Sequence, residues 1–283
     1  MAIQRQPAFF ISHGGPNLLE DNGKPGSFYT SFGNLLKNTL KPKAIVIVSA
    51  HWQGQGRNGI FVETSAKPEL IYDFYGFPKH YYEETWDNRG DPQVATHVID
   101  LLNKAGIHAE GQKRGIDHGV WVPLKRAMKS VADIPIVAIS TFDHEDMVMH
   151  VKLGKALAHL RDENIVVIGS GTSVHNLREL FSSMGKPSPS FVNRFESSLD
   201  NIALKHVGEE RNQLSETLAK HPDFRRAHPT AEHLMPFHIA LGAAQDDKAV
   251  KILDDAMSTI AWGTYAFGLP DNEYIKPIKH SEL

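Results

Sequence analysis

Four stretches of the chain are apolar without alternation. They are Ala8-Phe9-Phe10-Ile11, Ile45-Val46-Ile47-Val48, Ile136-Val137-Ala138-Ile139 and Ile165-Val166-Val167-Ile168. A strand with one wet face would alternate apolar and polar residues. These runs instead predict strands covered on both faces, as in a parallel sheet. Gly59 to Val62 reads as a further strand, and Thr259 to Phe267 as a late strand with imperfect alternation. Helical spacing lies between the runs. Phe28, Phe32, Leu35, Leu36 and Leu40 share one face of a helix predicted from about Ser27 to Leu40. Pro92 to Ala105 reads as a helix with proline in its first turn. Further helices are predicted from near Val120, from about His144 to Leu160, and across the polar segment from Phe191 to about Lys220. No linker is long or biased enough to divide the chain. The expectation is a single α/β domain over residues 1–283, with a mainly parallel central sheet and helices on both faces.

The ends of the apolar runs carry the candidate chemistry. Ligands of open α/β sheets bind outside the carboxyl ends of the strands. The first run stops at Ser12-His13-Gly14-Gly15-Pro16, a tight turn, and the second at Ser49-Ala50-His51-Trp52. The last runs into Gly169-Ser170-Gly171-Thr172-Ser173-Val174-His175, which reads as a glycine-marked turn delivering His175. That stretch is no dinucleotide loop, since Val174 stands where a third glycine is needed, and no Gly-Lys-Ser/Thr element follows. The Gly-x-Ser-x-Gly elbow of hydrolases is absent too. His118, in Asp117-His118-Gly119, reads as presented from a loop that opens a helix. Pro229 favours a turn after His228. Thr230 is then the expected N-cap of the next helix, with Glu232 and His233 in its first turn. His144, His150 and His159 read as solvated or capping residues. The aromatic run Ile71 to Pro78 has two readings: a loop packed on the core, or an aromatic wall for a planar substrate.

Composition narrows the chemistry. Of 283 residues, 41% are hydrophobic and 22% charged, enough to build a core. Thirty basic against 33 acidic residues leave a net charge of −3, which gives no reason to invoke nucleic acid or a membrane surface. There is no cysteine, so disulfides, thiolate zinc sites and a cysteine nucleophile are excluded. Any metal must be held by His, Asp or Glu. The N-terminal residues lack the apolar segment of a signal peptide, and no apolar run approaches the ~18–20 residues of a membrane span. A cytoplasmic protein is the expectation. No His-Glu-x-x-His or other short-range metal motif is present. From the residues alone, the strand-end histidines are either one metal site with proton-transfer groups or a set of hydrogen-bonded turn residues.

Five segments go further together. Ser12-His13-Gly14-Gly15-Pro16, Val48-Ser49-Ala50-His51-Trp52, Asp117-His118-Gly119, Val174-His175-Asn176-Leu177-Arg178 and Pro229-Thr230-Ala231-Glu232-His233-Leu234 resemble the motif set of class III extradiol ring-cleaving dioxygenases. They are most similar to the DOPA-dioxygenase branch, whose aromatic loop Ile71 to Pro78 also resembles. The motifs follow the family's order from residue 9 to about 240. The resemblance implies a non-haem metal-dependent extradiol dioxygenase that opens a catechol-type, DOPA-like ring with dioxygen. It implies one divalent metal ion, Fe(II) or Zn(II), on His13, His51 and His233. It gives His175 the acid/base role and places His118 against substrate or dioxygen. One position departs from the protocatechuate branch, which has a glutamate as third ligand; here His233 stands there, with Glu232 beside it. Two histidines and a carboxylate suit Fe(II), whereas three neutral histidines also describe zinc. A zinc-dependent hydrolase and a non-enzymatic binding protein on the same scaffold are the alternatives. Oligomeric state is left open.

Overall fold

A computed structural model describes residues 5–54, 59–129 and 132–278. In chain order the strands are β1 (Ala8–Ser12), β2 (Ala44–Gln53), β3 (Ile60–Glu63), β4 (Ala109–Gln112), β5 (Ile136–Thr141), β6 (Ile165–Gly171), β7 (Val174–His175), β8 (Ala249–Leu253), β9 (Ala256–Met257), β10 (Ile260–Ala261) and β11 (Thr264–Phe267). The helices are α1 (Lys24–Asn34), α2 (Pro92–Lys104), α3 (His118–Met128), α4 (Met147–Leu157), α5 (Leu177–Ser183), α6 (Ser190–Lys205), α7 (Gly208–Glu216), α8 (Phe224–Ala227) and α9 (Met235–Ala244). One eight-stranded sheet runs β4-β3-β5-β2-β6-β1-β11-β8, and β7-β10-β9 form a small second sheet.

The four apolar runs are the four central strands. β5, β2, β6 and β1 are mutually parallel, while β3 and β11 join them antiparallel. Period two along each strand divides its side chains between two cores. Phe10, Val46, Val48, Val137, Ile139 and Val167 face one, with Val98, Leu153, Phe195 and Phe237 of α2, α4, α6 and α9. Phe9, Ile11, Ile45, Ile47, Ala138 and Ile168 face the other, with Phe32 of α1 and Trp121 of α3. Burying both faces explains the absence of polar positions, each full burial of a Val, Ile or Phe contributing ~1.5–3 kcal/mol. The α2 boundary is set by Asp91, whose carboxylate accepts from the amides of Gln93 and Val94, and by Pro92 behind it. No helix among the described residues is long and apolar enough to cross a membrane.

Several boundaries differ from the expectation. The helix predicted from Ser27 begins at Lys24 and finishes as a π-helical turn over Leu35–Leu40. β2 continues through His51 to Gln53. Gly169, Ser170 and Gly171 belong to β6 and form no turn. A Cβ at Gly169 would lie 2.1 Å from the Pro236 carbonyl oxygen, and one at Gly171 2.1 Å from that of His233. Those glycines are there so that another segment can lie against the strand. Thr230 caps nothing: α9 starts at Met235, behind a turn holding Glu232 and His233. The expected strand from Thr259 breaks at Trp262–Gly263 into β10 and β11, which serve different sheets. His150 is fully buried, not solvated; its Nδ1–H donates to the Asp146 carbonyl at 2.7 Å.

Candidate active site

The register of the central strands assembles the site. β6 lies between β1 and β2, pairing Ser12 with Gly171 and Ser49 with Ser170. The connections out of β2 and β6 leave in opposite directions across the sheet, toward β3 and toward β8, and between such neighbours α/β sheets open a crevice. His13 follows Ser12 directly, and its amide donates to the Gly171 carbonyl at 3.0 Å. His51 stands two residues beyond Ser49. His233 arrives from the loop before α9, pinned where the Thr172 amide donates to its carbonyl at 3.0 Å. His118 is the first residue of α3. That helix is moored to β2 by Asp117, which accepts from Ser49 Oγ at 2.6 Å and from Arg114 Nη1 at 2.9 Å. Gly119 leaves the room this requires, since a Cβ there would lie 3.0 Å from His51 Cδ2. His175 lies in β7, opposite Ile260 of β10.

Three imidazoles meet at one point. His51 Nε2 is 3.0 Å from His13 Nε2 and 3.2 Å from His233 Nε2. Each ring has an acceptor at its other nitrogen. Ser170 Oγ donates to the Gly119 carbonyl at 2.5 Å, so it receives His13 Nδ1–H at 3.0 Å. Glu232 Oε1 receives His233 Nδ1–H at 2.9 Å, and Asp73 Oδ2 lies 3.4 Å from His51 Nδ1. Hydrogen bonding holds His13 and His233 as Nδ1–H tautomers, and the charge of Asp73 favours the same tautomer of His51, which turns three Nε2 lone pairs on one another. A cation resolves that repulsion. Nitrogen ligands at ~2.0–2.1 Å from one ion sit roughly 3 Å apart, the spacing seen here. The donor set therefore fits a single divalent metal, with outer hydrogen bonds of the kind that orient metal-bound histidines. Among the described residues, His13, His51 and His233 form one group able to hold an ion; two others, His51-Asp73-His118 and His175-Glu232-His233, share its members. In those two, His118 Nδ1 and His233 Nδ1 already donate to carboxylates.

Electrostatics agree with neutral, lone-pair-bearing rings. Burial, reinforced by the neighbouring imidazoles, holds His13 and His233 well below the usual histidine range. Burial lowers His51 to about 3, with His118 assisting and Asp73 opposing. Burial also lowers His175 to about 4, opposed by Glu232. Burial alone would raise Asp73, yet its hydrogen bonds and charge contacts with His118 and His51 bring it down to about 2. Both the amide and Nδ1 of His118 lie 2.9 Å from Asp73 Oδ1. The ring of His118 is 4.0 Å from that of His51, and His175 stacks on His233 at 3.6 Å with a 13° tilt.

All five histidines singled out from the sequence are thus within one cluster. The aromatic run packs on the core, as the first of its readings has it. Phe74 is buried in the core and meets His118 edge-on at 5.8 Å, whereas Tyr75 is exposed. Asp73, Ser170 and Asp117 escaped the sequence reading as site residues. The one local signal for Asp73 is a lone carboxylate inside an aromatic run. Ser170 has a comparable signal, a hydroxyl between two glycines of a buried strand.

Comparison with known proteins adds sequence and structural relatives. Residues 7–269 match the family described as the catalytic LigB subunit of aromatic ring-opening dioxygenase. The chain is 35% identical over 268 residues to a 4,5-DOPA dioxygenase extradiol of Beta vulgaris, covering 92% of this chain and 95% of that one. It is 34% identical over 255 residues to the protein of the same name in Escherichia coli K12, covering 89% and 90%. A crystal structure of an uncharacterized Escherichia coli K12 protein superposes with a TM-score of 0.76 at 28% identity, over 93% of this chain and all of that one.

Proposed function

Because the chain belongs to the LigB family of aromatic ring-opening dioxygenases, we propose that it is a metal-dependent extradiol dioxygenase acting on a DOPA-like catechol. The observation that carries this reading is the convergence of three imidazole Nε2 atoms, each with its Nδ1 beside a separate acceptor. His13, His51 and His233 hold one divalent ion. Bound there, Fe(II) would orient a catechol beside dioxygen and supply the electrons of the redox step, which zinc with its filled d shell could not.

The chain's own groups handle protons and position. His118 donates Nδ1–H to Asp73, so its Nε2 is the bare acceptor for a substrate hydroxyl. His175 has no hydrogen bond to its ring among the described residues, and only its face is engaged, by His233. A ring so placed can take a hydroxyl proton and return it to an oxygen of the opening ring, the general acid/base role its motif implies. Glu232 and Asp73 hold the ligand rings by hydrogen bonding and charge, an arrangement that serves affinity as much as orientation.

The test begins with metal analysis of protein purified without chelators. Anaerobic loading with Fe(II) is followed by oxygen uptake with L-DOPA and by absorbance of the ring-opened product. Stoichiometric oxygen consumption and a ring-opened product are expected. Ester or amide hydrolysis by the zinc form, with no oxygen uptake by the iron form, would replace this reading with that of a zinc hydrolase. Peptide binding by metal-free protein without either activity would replace it with a binding protein.

A further inference from the structure

Trp262 lies beside this cluster with no role in it so far. It occupies the break between β10, which pairs with the strand of His175, and β11, which pairs with β1 ahead of His13. The following residue ties both sides together. The Gly263 amide donates to Ser173 Oγ at 2.9 Å, and Ser12 Oγ donates to the Gly263 carbonyl at 3.1 Å. The indole is thereby carried on a backbone tied to both histidine-bearing segments. Its benzo edge rests on Gly14, where a Cβ would lie 1.9 Å from Cη2. Gly14 has φ +61°, which asparagine also tolerates, but only glycine leaves room for the indole. A second ring sits on the next residue: Phe77 Cζ is 3.3 Å from the Cβ position of Gly15. Phe77 meets Phe74 edge-on at 5.6 Å, and Phe74 meets His118 in the same way. Aromatic rings therefore line the turn after His13 from the His118 side round to Trp262.

We propose that Trp262 is a specificity-determining residue, its indole forming one wall of the slot that grips a planar aromatic substrate, with Phe77 as the adjoining wall. This inference rests on the dioxygenase reading above and adds to it that the ring, rather than any side chain on it, supplies the recognition. Trp52, Trp86 and Trp121 are 2%, 6% and 0% exposed, whereas Trp262 is only half-buried, which marks it as the indole able to meet a ligand. Offset and edge-on contacts between aromatic rings are favourable beyond the area they bury.

The readouts are Michaelis kinetics of the iron form and tryptophan fluorescence of the zinc form. W262A should keep wild-type metal content and raise KM about tenfold, by a similar factor for catechol and for L-DOPA and with a smaller change in kcat. W262F keeps an aromatic wall and should restore KM to near the wild-type value. Catechol should quench the indole emission of the zinc-loaded wild type. That quenching should largely disappear in W262F, although calorimetry still records catechol binding. Unchanged KM in W262A, or full quenching in W262F, overturns the role of Trp262 while leaving the dioxygenase reading intact. If the wild type neither binds nor opens catechols, both fall together.

Discussion

A neutral imidazole carries one N–H and one lone pair, so whatever takes its N–H decides where the lone pair points. At His13 that decision belongs to Ser170, whose own proton is committed to the Gly119 carbonyl. Ser170→Ala should lower metal affinity ~10–100-fold, as loss of such outer partners typically does. Competition with a chelator measures it, and an unchanged melting temperature shows that the fold is intact. His13→Ala should lose the metal outright. His175→Gln should instead keep its metal and its catechol affinity while kcat falls by ~10²–10⁴, the usual cost of a missing general acid/base. A fully metallated His175→Gln protein with near-normal kcat would remove His175 from the chemistry. A turn residue that only held the backbone would show the opposite balance, losing melting temperature more than turnover.

Between elements, glycines do two different jobs that substitution can separate. α4 crosses α9 closely enough that a Cβ at Gly154 would lie 2.0 Å from the Ile239 carbonyl oxygen. Gly154→Ala should therefore destabilise the protein by ~1–3 kcal/mol as the helices move apart, outweighing alanine's better helix propensity. Metal per folded molecule should not change. Gly171 meets the carbonyl of His233 in the same way, but that partner is a site residue. Gly171→Ala should push the His233 turn outward and empty the metal site out of proportion to its effect on melting temperature. Measuring metal stoichiometry and thermal unfolding on the same preparations tests both. Equal metal loss in the two variants would argue against a local role for Gly171.

At the scale of the molecule, one buried charge cluster ties α6, β8 and β11 together. Lys251 Nζ lies 3.2 Å from Glu196, 3.1 Å from Asp200 and 2.6 Å from Asp254, and Tyr265 OH donates to Asp200 at 2.6 Å. Three carboxylates share one ammonium. Burial pushes Glu196 up to about 7 despite the pull of Lys251, with Asp200 and Asp254 adding to the rise. An unfolded glutamate loses its proton near ~4.3. Between that pH and about 7 the folded chain holds the extra proton, so this residue's contribution to stability falls as pH rises and is constant above. The stability of the wild type relative to Glu196→Gln should therefore decline from about pH 4.5 to about pH 7, with a slope of at most roughly 1.4 kcal/mol per pH step of one. Melting temperatures of the two proteins across that range measure it. A difference that does not vary with pH would show that Glu196 titrates normally.

Burial on both faces leaves its mark directly on composition, which is why four apolar runs in the sequence sufficed to predict the central parallel strands and the α/β class. The first run ends in a turn directly before His13, which made that residue legible at the edge of the sheet, whereas β2 runs on through His51 and His175 lies in a short strand of its own. The motif resemblance then singled out all five histidines. What one dimension does not carry is how a residue's neighbours in space constrain it. The Gly-Ser-Gly of β6 reads as a turn, yet it is strand, and its glycines answer to the carbonyls of Pro236 and His233, more than 60 residues away. Thr230 has the local chemistry of an N-cap, but the segment is held instead by the docking of His233 onto β6, and the helix begins later. Asp73, Ser170 and Trp262 acquire meaning only from partners 22 to 248 positions distant: His51 and His118, His13 and Gly119, and Gly14. Periodicity and side-chain type are local properties, so the order of residues was enough to say which segments are buried and which side chains could do chemistry. Which nitrogen each histidine offers, and what surrounds it, came from the folded chain, because hydrogen-bond partners and steric room are set by segments that meet only after folding.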